Sequence, residues 1–201
     1  SALRMQIKTH LALGHRLLDW APDAGLHRYS ELFLLGCMEP DYNLATYLRG
    51  LKGHGVFHGH NADNSFAYVS GCLRSFEKNG LGSGWDYFRL GALLHYVADA
   101  FTGPHNSFWT GGLISHAVYE LRLHEVITRE PEPEYAAGCA AAAPMEYFSA
   151  EHRSYCAAEP GLHTDSRCIT RVCRTLLHTI LGRAGADGPA AISGKETMNE
   201  H

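Results

Sequence analysis

Residues 93–106, LLHYVADAFTGPHN, set His95 and Asp99 four positions apart and His105 six further on. In a helix an i, i+4 pair shares one face, with its Cβ atoms about 6 Å apart. His116 and Glu120, in ISHAVYE, repeat that spacing. Imidazole and carboxylate are ligands for divalent metals. Leu93, Leu94, Tyr96, Val97 and Ala98 surround His95 and Asp99, so the pair reads as buried. A buried carboxylate without a partner is costly, and a divalent cation removes that cost.

Taken singly, a His-x-x-x-Glu pair is more often a surface salt bridge, and one buried histidine is more often a hydrogen-bonded core residue. Two such pairs on neighbouring helices can instead converge on metal, as in carboxylate-bridged bundles. Gly103-Pro104 ends the first helix and leaves His105 on the connection, within reach of a shared site. Further candidates are His10 in KTHLALGH, Asp41 after Pro40 in GCMEPDYN, and His58 and His60, with Asp63 nearby, in GVFHGHNADNSF.

The elements that must position these residues follow from helical periodicity. Ile7, Leu11, Leu17 and Leu18 mark a first helix. Leu32 to Leu35 is a short apolar run, and Phe66 to Phe76 follows a start signal at Asn64-Ser65. Trp85 to Phe101 and Leu113 to Val126 are long helices. Residues 129–143 read as a linker and 144–157 as a weaker helix. Ile169, Val172, Cys173, Leu176, Leu177 and Ile180 form the apolar stripe of the last helix. No alternating strand pattern stands out. The expectation is all-α: a bundle of about six helices with a multinuclear metal site in its centre or cleft. Residues 1–184 form one domain and 185–201 a flexible tail.

Composition narrows the function classes. Hydrophobic content of 45% and charged content of 19% describe a globular chain. A net charge of −4 without a basic run argues against a sequence-independent grip on nucleic acid. Fourteen histidines in 201 residues favour metal chemistry. The six cysteines, Cys37, Cys72, Cys139, Cys156, Cys168 and Cys173, lack C-x-x-C spacing, which argues against a thiolate zinc knot. No run is apolar enough to span a membrane. The first residues lack the apolar core of a signal peptide. The expectation is a cytoplasmic protein, with secretion the alternative if a signal was removed before Ser1. The sequence leaves the oligomeric state open.

The order His10, Asp41, His58, His95-x-x-x-Asp99, His105, His116-x-x-x-Glu120 resembles the zinc-dependent phospholipase C family, relatives of the three-zinc single-strand nucleases. LHYVADAFTGPHN looks like the segment around the family's central ligands, with the same gaps. FHGHNADN resembles a family segment that selects His58 over His60. HAVYE matches the family element at His116, Tyr119 and Glu120, and EPDYN resembles the segment that gives Asp41 and Tyr42. The resemblance covers roughly residues 7–122.

It implies that Asp41, His58, His95 and a bridging Asp99 hold one zinc, and that His105, His116 and Glu120 hold a second. His10, Asp99 and the chain's N-terminal amine and carbonyl would hold a third. The family begins its mature chain with Trp at a longer distance from the first histidine; Ser1 departs from this, so both two and three Zn2+ ions stay open. The implied activity is phospholipase C-like hydrolysis of a phosphodiester by a zinc-activated water, with Asp41 binding zinc and orienting or deprotonating that water. The implied substrate is a phospholipid or another phosphate ester. Tyr42 matches an aromatic of the choline pocket, and Phe57 is the substitute for a pocket Phe that aligns to Gly55. The alternatives are a single-strand nuclease-like phosphodiesterase, with Phe108 and Trp109 as a base-stacking platform, and a non-catalytic metal-binding helical protein.

Overall fold

A computed structural model of the chain describes residues 2–42, 62–129, 140–158 and 161–186. These fold into α-helices alone, apart from one 3-10 turn. The helices are α1 (Ala2–Trp20), α2 (Ala24–Arg28), α3 (Ser30–Tyr42), α4 (Ala62–Asn79), α5 (Gly84–Ala100), α6 (Leu113–Arg129), α7 (Pro144–Ala157) and α8 (Leu162–Ala186). The 3-10 turn, Gly103–His105, lies between α5 and α6. The all-α bundle is as expected, but with eight α-helices among the described residues rather than about six.

The additions have local causes. Asp23 caps α2, accepting the Leu26 N–H at 2.7 Å, so a five-residue helix forms where periodicity marks no element. The short run Leu32–Leu35 belongs to a full helix, because Phe33 and Cys37 extend its buried face by one turn. Helix α4 begins at Ala62, ahead of the Asn64-Ser65 signal. Helix α8 takes in Gly185 and Ala186, the first two residues of the expected flexible tail, and residues 187–201 lie outside the described ones. No helix among the described residues is long and apolar enough to cross a membrane.

Helix α5 is the axis of the bundle. Leu90, Leu93, Leu94 and Val97 are fully buried against Phe33 of α3, Leu73 of α4, Leu123 of α6, Phe148 of α7 and Leu176 of α8. Each such side chain contributes about 1.5–3 kcal/mol relative to exposure. The stripe on α8 from Ile169 to Ile180 is buried throughout, at 4% exposure or less for Ile169, Val172, Cys173, Leu176, Leu177 and Ile180.

Among the described residues the most extensive helix contact is that between α3 and α5, and glycines make it possible. A Cβ at Gly36 would lie 2.0 Å from the Phe88 carbonyl oxygen, and one at Gly91 would lie 2.1 Å from that of Phe33. The two backbones therefore touch directly. This brings the Cys37 carbonyl against α5, where it meets His95.

Two substitutions of the same kind separate packing from propensity. Alanine in an open helix position gains about 0.5–1 kcal/mol over glycine. Gly71→Ala, with nothing within 4 Å of the added carbon, is expected to raise the unfolding free energy by that amount. Gly91→Ala must push two backbones apart and is expected to lose about 3 kcal/mol. Urea unfolding of both variants against the parent checks the opposite signs.

Candidate metal centre

Helix α5 presents His95 and Asp99 on one face, one turn apart, and both are buried, at 1% and 5% exposure. The helix stops at Ala100. The Thr102 hydroxyl donates to the Asp99 carbonyl at 2.8 Å, and Pro104 brings no N–H to continue the ladder. The 3-10 turn that follows swings His105 back toward Asp99. Helix α1 crosses this region and inserts His10, whose ring stacks on His95 with centroids 3.8 Å apart.

Three imidazoles therefore converge on one carboxylate. His10 Nε2 lies 3.1 Å from Asp99 Oδ1, His95 Nε2 3.3 Å from Oδ2, and His105 Nδ1 3.4 Å from Oδ1. On α6, His116 Nε2 lies 3.4 Å from Glu120 Oε1. The rings of His105 and His116 meet edge to face at 5.5 Å. Two groups of donor atoms result: His10, His95 and Asp99 in one, His105, His116 and Glu120 in the other. Within each, one ligand atom per residue lies within 4.8 Å of the others. A small cavity lined by His10, Asp99, Thr102 and Glu120 joins the two groups.

The donor chemistry fits cations. The Cys37 carbonyl can only accept, so His95 Nδ1–H donates to it at 2.9 Å. A neutral His95 ring then turns the lone pair of Nε2 toward the Asp99 carboxylate, two electron-rich atoms face to face. A cation held by both relieves that repulsion. Two further nitrogens, His10 Nδ1 and His116 Nε2, are buried without a hydrogen-bond partner among the described residues. Either group can take Zn2+, which favours nitrogen and oxygen ligands of this kind.

Burial pushes the Asp99 carboxyl pKa up, but the rings of His105, His95 and His10 outweigh it and hold the group well below the usual carboxylate range. It stays ionised as a ligand should. Burial pushes the Cys37 thiol up to about 12, so it remains protonated and uncharged beside the centre.

Of the residues singled out in the sequence, six are brought together: His10, His95, Asp99, His105, His116 and Glu120. His58 and Phe57 lie outside the described residues, as do His60 and the side chains of Asp41 and Tyr42 at the end of α3. Phe108 and Trp109 line a cleft beside the His105 turn.

Sequence reasoning assigned no role to the residues that hold the ligands. Asn106 is buried and donates through Nδ2 to the carbonyls of Ala100 and Thr102, at 3.0 and 2.8 Å. Its Oδ1 accepts from His152 Nε2 at 2.9 Å. Tyr119 accepts the Gly103 N–H at 3.3 Å and donates to the Asp165 carboxylate. An Asn directly after a candidate ligand, and a Tyr directly before one, were the available signals.

The comparisons with known proteins agree with this chemistry. A family model described as zinc dependent phospholipase C matches residues 9–181. No curated protein and no solved structure matches the chain. With that family model spanning nearly all of its helices, the chain belongs to the zinc-dependent phospholipase C family.

Proposed function

We propose that the protein hydrolyses the phosphodiester bond of a phospholipid on the glycerol side of phosphorus, releasing the phosphorylated headgroup. The observation that supports it best is the convergence of three imidazole nitrogens on the buried carboxylate of Asp99, beside a second His-His-Glu group. Zinc, when bound, supplies Lewis acidity toward phosphoryl oxygens and toward an attacking water.

The chain's own residues do the rest. Asp99 stands between the two donor groups and is the residue suited to serve both. His95 is fixed in ring orientation by the Cys37 carbonyl, so its Nε2 points inward. His105 is set by the 3-10 turn, and Asn106 ties that turn to the last carbonyls of α5. Tyr119 holds Gly103 from the other side. The family resemblance adds Asp41 and His58 as ligands, with Asp41 orienting the water or accepting its proton. Bulk negative charge does not oppose an anionic substrate, because bound cations dominate the local field.

The first test is hydrolysis of a chromogenic phosphocholine ester, bis(p-nitrophenyl) phosphate and single-stranded DNA, each with zinc and after chelation. Zinc-dependent turnover of the phosphocholine ester, with little on DNA, supports the proposal. Turnover of DNA alone supports the nuclease reading, and zinc binding without turnover a non-catalytic one.

Two variants probe the centre. Removing one charge of a buried, paired group costs about 3–5 kcal/mol. Asp99→Asn is therefore expected to lower the melting temperature and to reduce bound zinc per chain, measured by thermal unfolding and elemental analysis. Full zinc content and an unchanged melting temperature would contradict the bridging role. Asn106→Ala leaves every ligand in place but releases the His105 turn. Loss of such an outer partner weakens metal binding or activity about 10–100-fold, which zinc titration against a competing chromophoric chelator would read.

A further inference from the structure

A cleft of about 1200 Å3 opens beside the metal centre, between the 103–112 loop, α6 and the start of α8. It is larger than a phosphate headgroup needs, since pockets for whole drug-sized ligands span about 300–1,000 Å3. Its walls are largely apolar: Phe108, Trp109, Ile114, Val118 and Leu162. Ile114 and Val118 leave 84% and 43% of their surface exposed at its edge. Among the described residues no candidate ligand lines the cleft, but it adjoins the turn and the helix that carry His105 and Glu120. Gly103 lies two positions before His105, Tyr119 immediately precedes Glu120, and the two are hydrogen-bonded to each other.

The charges along the cleft select its occupant. Asp165 is only 1% exposed, and its carboxylate takes the Tyr119 hydroxyl, so it offers no open anionic site to a cationic headgroup. Arg122 is the one cation among the described residues lining the cleft. An uncharged, flexible hydrocarbon matches these walls. We infer that this cleft holds an acyl chain of the lipid whose phosphate lies at the metal centre, making the apolar tail a determinant of substrate choice. The inference rests on the phospholipid reading above for the position of the phosphate.

The probe is an ω-bromodecyl phosphate monoester added below its micelle concentration to the zinc-loaded protein. A bromine in the cleft contacts Trp109 and quenches its fluorescence, whereas Trp20 lies against Arg174 and Trp85 against Phe88. Saturable quenching is expected, absent with inorganic phosphate, lost in Trp109→Phe, and at least tenfold weaker in affinity in Val118→Asp. Val118 is exposed enough for that variant to fold. No saturable quenching, or an unchanged affinity in Val118→Asp, overturns the inference. Quenching without hydrolysis of any phosphodiester leaves the cleft assignment standing and removes the phospholipase reading. Hydrolysis without quenching does the reverse.

Discussion

The structure depends on a buried carboxylate ringed by imidazoles. Asp99 sits at 5% exposure with ring nitrogens from His10, His95 and His105 within 3.4 Å. The tautomer of His95 is fixed by a backbone carbonyl, so the repulsion of its neutral ring cannot be relieved by moving its proton. Cations, or protons taken up by the rings, must balance this arrangement. The family to which the chain belongs identifies zinc as the resident solution.

The bundle is organised to make this arrangement possible. Glycine-mediated contact between α3 and α5 delivers the Cys37 carbonyl to His95. The Gly103-Pro104 break turns the chain so that His105 meets both Asp99 and His116. Thr9 Oγ1 of α1, beside His10, lies 3.3 Å from His124 Nδ1 of α6 and ties the two helices together. Hydrophobic burial supplies the stability, and these few polar contacts set the angles.

Much of this was legible from residue types. The two i, i+4 pairs and the Gly-Pro break specify local geometry, and local geometry survives folding. The stripe on α8 was legible for the same reason. The helix α3 was underestimated because only four consecutive apolar residues show, while Gly36 looks like a breaker until its role in helix contact is seen. The partner of His95 could not be read at all, since a backbone carbonyl carries no residue signature and lies 58 positions away. The pairing of Asn106 with His152 spans 46 positions and likewise has no local pattern. His10 was identifiable as a candidate, but its stacking on His95 is a product of tertiary packing.

Zinc K-edge X-ray absorption of the zinc-loaded protein tests the central claim most directly. The account predicts a first shell of nitrogen and oxygen alone, at about 2.0–2.2 Å, with the outer scattering of several imidazoles. A sulfur shell at about 2.3 Å, or a spectrum without imidazole scattering, would contradict it.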